Sequence, residues 1–398
     1  MRFKRIFAIV MDSVGCGTCK DSNKFFNGTH SDEGANTIGH IASAVGGIDL
    51  PTLGAMGYGN IDEIKGVAPL ANPKGAYGKM QEISLGKDTL TGHLEIMGLN
   101  VTEPFQTFTE HGFPKELIDE LEKQTGHKVI GNCAASGTQI LVDLGLEQMR
   151  DNSMIVYTSS DSVLQIAAHE ETFGLEELYR CCRIAREICM KPEWKVGRII
   201  ARPYLGDSPE NFKRTPNRHD YALPPFAPTV LDALKEKNFD VIGLGKISDI
   251  YCGSGITESI RQVSNADGMN HMIDIAKNRD FTGLCYLNLV DFDALYGHRR
   301  DAKGYANAMV EFDAQLKELQ ALMNDDDLIM ITADHGNDPT WYGTDHTREY
   351  VPCLVWHKNI KSVDLGTRAS FADFGNTIAE NFGVKESEWG KSFLKDIE

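Results

Sequence analysis

Carboxylates and imidazoles stand directly after short apolar runs at several places in this sequence. The residues concerned are Asp12, Asp291, Asp293, His298, Asp334, His335 and His346. A single Asp at the end of a strand is usually a turn or capping residue, but the same residue types at three separate run ends favour a metal site. Mixed oxygen and nitrogen ligands suit Mn²⁺, Zn²⁺ or Fe better than Ca²⁺. The sequence therefore predicts a site for divalent metal ions.

A hydroxyl group near such a site could accept a phosphoryl group. The segment from Ser84 to Leu99 reads SLGKDTLTGHLEIMGL, in which Thr89 precedes an apparent helix. A Thr at a helix start is ordinarily a cap, but coordination to a divalent metal and the helix dipole would both favour its alkoxide. Thr91 and Ser84 are rivals for this role on sequence alone.

The apolar runs themselves are short and continuous, as in strands of a parallel sheet that is covered on both faces. They begin at Ile6, Met154, Phe239, Leu284, Leu328 and Cys353. Amphipathic stretches lie between them, such as residues 304–323, so the pattern predicts an α/β sheet with helices on both faces. Because ligand sites in such sheets lie beyond the carboxyl ends of the strands, the acidic run ends are expected to meet. Asp291 either binds metal or supports Asp293 from outside the ligand shell.

In the middle of the chain, Pro, Gly and short polar segments are interleaved with helical patterns, which predicts a second domain. Residues 101–218 are expected to form an inserted cap domain, and residues 1–100 with 219–398 a discontinuous metal-binding catalytic core. The insertion contains Arg198, Arg202, Arg214 and Arg218. Arginine forks bind phosphate well, so this domain is expected to bind the phosphate of a substrate.

The composition limits the class of protein. The net charge of −17 over 398 residues argues against nucleic-acid binding, which needs a basic face. The nine scattered cysteines predict reduced thiols. The first apolar run is too short for a signal peptide, and no run is long enough to cross a membrane. We therefore expect a cytoplasmic protein that binds neither nucleic acid nor a membrane.

Four segments together resemble a known family. The segments VMDSVG, GKDTLTGH, DFDALYGHRRD and ADHGNDPTWYGTDHTRE resemble the alkaline phosphatase superfamily and, more narrowly, the bacterial phosphopentomutase family. The likeness extends over essentially the whole chain, including TPNRHDYAL and TSSDSVLQIAAHE. It implies an α/β, alkaline-phosphatase-like core, with a mostly parallel sheet flanked by helices, and a smaller inserted α+β cap domain.

The resemblance also implies a site and a reaction. Two metal ions, usually Mn²⁺ with Zn²⁺ or Mg²⁺ as alternatives, would be held by Asp12, Asp334 and His335 and by Asp293, His298 and His346. Thr89 would carry the transferred phosphate. The family interconverts ribose 1-phosphate and ribose 5-phosphate, and the deoxy sugars, through a sugar bisphosphate that also activates the enzyme. The matching substrate contacts of the cap are Ser159, Asp161, Val163, Arg198, Ile200 and Arg214.

Two alternatives remain open at this point. A cofactor-independent phosphoglycerate mutase or a phosphatase of the same superfamily would share the metal residues, although the glycerate mutases normally present Ser as the nucleophile. A metal-storage or sensor protein would need the metal residues but no nucleophile. Thr89 therefore separates the predicted pentose enzyme from both.

Overall fold

The chain forms two compact units in a computed structural model that describes residues 1–159 and 162–398. The first unit consists of residues 1–103 and 225–398, and the second of residues 104–224. In chain order, the strands are β1 (Arg5–Val10), β2 (Phe26–Asn27), β3 (His30–Ser31), β4 (Ala76–Met80), β5 (Val129–Ala134), β6 (Met154–Thr158), β7 (Val163–His169), β8 (Arg198–Leu205), β9 (Lys213–Arg214), β10 (His219–Ala222), β11 (Asp240–Leu244), β12 (Glu258–Ile260), β13 (Gly283–Asn288), β14 (Asp327–Thr332), β15 (Val351–Trp356) and β16 (Val363–Arg368).

Helices occur between most of these strands. They are α1 (Thr37–Ala44), α2 (Pro51–Met56), α3 (Tyr58–Ile61), α4 (Thr89–Ile96), α5 (Lys115–Thr125), α6 (Gln139–Asp151), α7 (Leu175–Ile188), α8 (Val230–Glu236), α9 (Ile247–Ile250), α10 (Asn265–Asn278), α11 (Ala302–Leu322), α12 (Ala372–Phe382) and α13 (Leu394–Ile397). The amphipathic stretch at residues 304–323 lies almost entirely in α11, so that helix prediction is confirmed. None of the helices in the described ranges is both long enough and apolar enough to cross a membrane.

The first unit is built on a mixed sheet whose strands lie in the order β12-β11-β13-β1-β14-β15-β4-β16. Every residue of β1, β13 and β14 is buried, as expected for parallel strands that are covered on both faces. The predicted mostly parallel α/β sheet with flanking helices is confirmed. In register, Val10 at the end of β1 lies opposite Asn288 of β13 and Thr332 of β14. The carboxyl ends of these three neighbouring strands are therefore level.

Two apolar runs differ from their predicted placement. The run at Cys353 is β15, which is antiparallel to both β14 and β4. A parallel neighbour needs a long crossover, usually a helix, whereas residues 333–350 between β14 and β15 contain no helix, so the chain turns back. The run at Met154 is β6, which belongs to the sheet of the second unit.

The second unit has its own sheet, in the order β10-β8-β7-β6-β5, with β9 paired to β8. Strands β5 with β6 and β7 with β8 are parallel, and the other pairs are antiparallel. Helices α5 and α7 cover a core that includes Leu117, Leu178 and Cys182. The unit ends at Pro224 rather than at the predicted residue 218, because β10 pairs with β8.

Candidate active site

Three buried carboxylates follow the level ends of the three central strands. Asp12 comes two residues after β1, Asp334 two residues after β14, and Asp293 lies in a π-helical turn just beyond β13. Asp12 and Asp334 are 1% and 0% exposed, respectively. The parallel strand order brings together residues that are about three hundred positions apart in the chain.

The first group of possible metal ligands consists of Asp12, Asp334 and His335, whose ligand atoms all lie within 4.8 Å of one another. His335 Nε2 is 3.4 Å from Asp12 Oδ1 and 3.5 Å from Asp334 Oδ2. Its Nδ1 is 3.0 Å from the carbonyl oxygen of Gly336 and donates to it. Because Nδ1 is engaged in this bond, Nε2 is the ring nitrogen left to bind a metal, an arrangement that is common in metal-binding histidines.

The second group consists of Asp293, His298 and His346. Asp293 Oδ2 is 3.1 Å from His298 Nε2, and its Oδ1 is 3.4 Å from His346 Nε2. The two Nε2 atoms are 3.2 Å apart, and His298 Nδ1 donates to the Thr344 carbonyl oxygen at 2.7 Å. Ligand atoms of Asp293 and His346 also lie within 4.8 Å of one on His335, so the two groups adjoin.

The chemistry of these residues fits divalent cations. Asp12 Oδ1 is buried and accepts no hydrogen bond from the described residues, and burial together with the Asp334 carboxylate raises the pKa of Asp12. Buried carboxylates that face one another need compensating positive charge. Each group offers carboxylate oxygen and imidazole nitrogen, the donor mixture that suits Mn²⁺, Zn²⁺ and Fe.

Outer contacts that sequence reasoning missed orient the carboxylates. Asn288 Nδ2 donates to Asp12 Oδ2 at 3.0 Å, and Asn337 Nδ2 donates to Asp293 Oδ1 at 2.8 Å. Ser13 adopts a left-handed φ of 68°, which costs energy for a residue with a side chain, and its backbone N–H donates to Asp334 at 3.0 Å. The sequence feature that could have identified these residues is their position near strand ends, beside the predicted ligands.

The side chain of Asp291, which could have bound metal or supported Asp293, contacts neither group of candidate metal ligands in the described structure. Its Oδ2 accepts from the backbone N–H of Asn265 at 2.7 Å, and its own N–H donates to the Asn265 side chain at 2.9 Å. Asp291 thus binds the first residue of α10.

Thr89 is the hydroxyl residue that the fold places beside the candidate metal ligands. It is the first residue of α4, whose N-cap Asp88 accepts from the backbone N–H groups of Leu90 and Thr91. Thr89 Oγ1 lies 3.1 Å from His335 Nε2, at the positive end of the helix dipole. This geometry makes Thr89 the candidate nucleophile.

The two rival hydroxyls have other partners. Thr91 Oγ1 donates to Asp88 Oδ2 at 2.6 Å, and Ser84 Oγ accepts from the backbone N–H of Val101 at 3.0 Å. Both residues are fully buried. Their hydroxyls therefore stabilise the helix start and the preceding loop.

Helix α4 is pressed closely against the strand end that carries Asp334. A Cβ on Gly92 would lie only 2.0 Å from the Asp334 carbonyl oxygen. One residue on, His93 Nδ1 is 2.9 Å from the Thr89 carbonyl oxygen and 3.0 Å from Asp334 Oδ2. Gly92 and His93 both belong to the GKDTLTGH segment, but sequence reasoning gave neither a role.

The second unit carries the residues predicted to contact substrate. Arg198 and Ile200 are two positions apart on β8, so their side chains share a face of its sheet. Val163 of β7 lies opposite Arg198. Arg214 pairs near the other end of β8, opposite Tyr204. Ser159 follows β6, whereas Asp161 is outside the described residues. The structure brings Val163, Arg198 and Ile200 together and places Arg214 apart from them.

Arg202 lies on the same face of β8 as Arg198. Its Nε donates to Gln165 Oε1 at 3.0 Å. Burial and the positive charge of Arg218 lower the pKa of Arg202 to about 10. An anion that binds this face would relieve the repulsion between the guanidinium groups.

Comparisons with known proteins identify the family of the chain and agree with its fold. The sequence profile of the Metalloenzyme superfamily matches residues 4–386. The fold is similar to that of a protein from Pyrococcus horikoshii, at 13% sequence identity and a TM-score of 0.51, over 97% of this chain and 99% of that one. At this identity the likeness supports the fold alone.

Two further structures show weaker likeness. One is a phosphoglycerate mutase from Leishmania mexicana studied at low cobalt concentration, with 10% identity, a TM-score of 0.48 and coverage of 98% of this chain and 97% of that one. The other is a protein of the alkaline phosphatase superfamily from Vibrio parahaemolyticus, with 12% identity, a TM-score of 0.44 and coverage of 100% and 71%.

Proposed function

This chain belongs to the Metalloenzyme superfamily, and from that premise we propose that it catalyses the phosphopentomutase reaction, in which the 1-phosphates and 5-phosphates of ribose and deoxyribose are interconverted. The observation that carries the proposal is the 3.1 Å distance between Thr89 Oγ1 and His335 Nε2. At this distance a hydroxyl at a helix N-terminus lies beside the two candidate groups of metal ligands. A storage or sensor protein needs no such hydroxyl.

Two divalent ions, proposed to be Mn²⁺ with Zn²⁺ or Mg²⁺ as alternatives, would be held by six residues. These are Asp12, Asp334 and His335 for one ion and Asp293, His298 and His346 for the other. Bound there, the ions would lower the pKa of the Thr89 hydroxyl and offset the charge of the transferred phosphoryl group.

The proposed reaction uses Thr89 twice. In the resting enzyme the Thr89 oxygen carries phosphate. The bond from this oxygen to phosphorus breaks as a hydroxyl of the pentose monophosphate forms a new bond to the same phosphorus, and the proton of that hydroxyl passes to the released Thr89 oxygen. The resulting bisphosphate then returns its other phosphoryl group to Thr89. A sugar bisphosphate could phosphorylate the free enzyme in the same way, so it would act as an activator.

The second unit is proposed to bind the sugar and the phosphate group that is not being transferred. The proposed contacts are Ser159, Asp161, Val163, Arg198, Ile200 and Arg214. Arg198 and Ile200 on one face of β8 support this role, because guanidinium groups bind phosphate by paired, charge-assisted hydrogen bonds. The proposal includes no nucleic acid, membrane or obligate protein partner.

A product assay tests the proposal against its nearest rivals. The Mn²⁺-loaded protein is given ribose 1-phosphate and 3-phosphoglycerate in parallel, and the formation of ribose 5-phosphate, 2-phosphoglycerate and free phosphate is followed. We expect ribose 5-phosphate with little free phosphate. Turnover of 3-phosphoglycerate alone would show a glycerate mutase, and release of free phosphate as the main product would show a phosphatase.

A further inference from the structure

We propose that Arg348, together with Lys87, is a positioning residue that clamps the segment before Thr89 to the segment that carries His346. The kinetic consequences of this proposal rest on the proposed function. Arg348 belongs neither to the two candidate groups of metal ligands nor to the face of β8 that carries Arg198. It is nevertheless a fully buried arginine, at 1% exposure, two residues after a candidate metal ligand. Such burial of a guanidinium group requires that its donors all find partners.

The guanidinium group binds the backbone of the segment that leads to Thr89. Arg348 Nη1 donates to the carbonyl oxygens of Ser84 at 2.9 Å and Gly86 at 2.6 Å. Arg348 Nη2 donates to the carbonyl oxygen of Glu82 at 2.7 Å. One side chain thus binds alternate residues of the loop that ends at Thr89. That loop has no strand partner over residues 82–88 in the described structure.

Carboxyl groups on both sides balance the charge of the same guanidinium. Glu82 Oε2 is 2.6 Å from Arg348 Nη1, and Asp21 Oδ2 is 2.9 Å from Nη2. The planar fork of arginine can serve several acceptors in one plane, which the single ammonium group of lysine cannot. With Asp21 Oδ1, which accepts from Arg348 Nε at 3.3 Å, six acceptor atoms surround the guanidinium group and therefore specify arginine.

A second bridge joins the same two segments through Asp32. Asp32 Oδ2 accepts from the backbone N–H of Arg348 at 3.0 Å and from Lys87 Nζ at 3.1 Å. Lys87 Nζ is also 3.4 Å from Asp345 Oδ2. The residue two before Thr89 is thus tied to the residues on both sides of His346.

These contacts lock the distance between nucleophile and ligands. The loop at residues 82–88 and the segment at residues 345–348 are far apart in the chain, and Arg348, Asp32 and Lys87 join them by side-chain contacts. Without these contacts, the loop carbonyls lose buried partners and the start of α4 is free to shift. Since a misplacement of about 1 Å can cost about 100-fold in rate, the clamp should act on the transfer step rather than on substrate binding.

The test replaces Arg348 by Lys and compares it with a matched control, Arg5→Lys. Arg5 is also buried, at 4% exposure. It forks Asp327 at 2.8 and 2.6 Å and donates to the carbonyl oxygens of Ala276 and Arg279. It stands at the start of β1, at the opposite end of the strand from Asp12. The same substitution therefore disturbs a buried arginine network away from the site.

The first measurement is backbone hydrogen exchange of the full-length, Mn²⁺-loaded proteins, followed by mass spectrometry of peptides. In R348K we expect exchange in residues 82–90 and 344–349 to quicken by about tenfold or more, as a loss of about 1.4 kcal/mol of local stability would give. R5K should leave both segments as in the wild type. Equal protection of residues 82–90 in the two variants would overturn the clamp, whatever reaction the protein catalyses.

The second measurement is kinetic. At equal folded fraction, R348K should lower kcat and the rate of Thr89 phosphorylation by about 10- to 100-fold, with KM for ribose 1-phosphate within about twofold, whereas R5K keeps both. A rise in KM without a fall in kcat would contradict a positioning role. If the wild type forms no phosphothreonine at all, the proposed function fails, and the exchange comparison still decides the clamp.

A second variant covers the case in which R348K does not fold. Lys87→Met removes the bonds to Asp32, Asp345 and the Phe26 carbonyl oxygen but leaves the buried guanidinium in place. The Lys87 side chain is 13% exposed. The variant should quicken exchange in residues 82–90 without affecting the global unfolding transition by more than a few degrees. Unchanged exchange there would overturn the bridge through Asp32 and, with it, the clamp.

Discussion

Gly92 of helix α4 packs directly on the backbone of Asp334, and a Cβ at Gly92 would lie 2.0 Å from the Asp334 carbonyl oxygen. This contact sets how closely Thr89, three residues earlier in the helix, approaches the carboxyl ends of the central strands. The absence of a side chain at position 92 is thus a requirement of the site.

Gly92→Ala is expected to force α4 away from Asp334. Overpacking of this kind costs about 1–3 kcal/mol of stability, and displacement of Thr89 should lower activity by about 100-fold. Gly54→Ala is the matched control, since Gly54 is also buried in a helix but its Cβ would meet only a Val67 methyl group at 3.2 Å. Thermal unfolding and turnover of ribose 1-phosphate check both. Full activity in G92A would show that the contact does not set the position of Thr89.

Thr89→Ala should abolish phosphoryl transfer and leave Mn²⁺ binding largely intact, because the carboxylates and imidazoles remain. Thr91→Ala is the control: it removes the hydrogen bond to Asp88 and should cost about 1 kcal/mol of stability but keep transfer. Phosphothreonine formation is followed with labelled substrate, and Mn²⁺ binding by calorimetry. Retention of full mutase activity in T89A would show that the nucleophile is misassigned.

Metal removal should abolish activity, and Mn²⁺ should restore it. Asp12→Asn should weaken Mn²⁺ binding, yet stabilise the metal-free protein, because burial and the Asp334 carboxylate raise the pKa of Asp12 and so disfavour its charge. Asp291→Asn is the matched control, since Asp291 binds the start of α10. Titration with Mn²⁺ and urea unfolding of the metal-free forms check this. Activity that survives exhaustive chelation would count against the metal site.

Stability of the metal-free protein should fall as pH rises from 5 to 8, in part because of Glu349. Burial and the nearby Asp338 raise the pKa of Glu349 from its ordinary value of 4.5 to about 7. A raised carboxyl pKa means that the folded state holds the proton more tightly than the unfolded state. The stability from this proton is present below pH 4.5 and is lost as pH rises through about 7.

Glu349→Gln should remove this dependence, so that the wild type loses about 2–3 kcal/mol relative to the variant between pH 5 and pH 8. Urea unfolding of both metal-free proteins at the two pH values measures the difference. A constant gap between the two proteins would show that Glu349 titrates normally.

Arg198→Ala should raise KM for ribose 1-phosphate by about tenfold or more, as the loss of a charge-assisted hydrogen bond of about 1.5–3 kcal/mol would give, with little change in Mn²⁺ binding. Arg150→Ala is the control, because Arg150 is an exposed arginine of the same unit that pairs with Asp151. Unchanged kinetics in R198A would remove Arg198 from the substrate site.

The sequence alone predicted which residues the first unit would bring together. Buried parallel strands read as continuous apolar runs, and the carboxyl ends of such strands meet at one edge. Asp12, Asp293 and Asp334 could therefore be assigned to one place although they are remote in the chain. This rule did not predict the direction of β15, because the direction of a strand depends on the connection that precedes it.

Only the tertiary structure decided among the three hydroxyls. Ser84, Thr89 and Thr91 are alike in chemistry and lie within eight residues, but Val101 and Asp88 occupy two of them and leave Thr89 beside His335. The same holds for Gly92, Asn288 and Arg348, whose partners lie far away in the chain. A sequence pattern reports local periodicity, whereas a hydrogen bond or a close backbone approach between distant segments exists only once the core has packed.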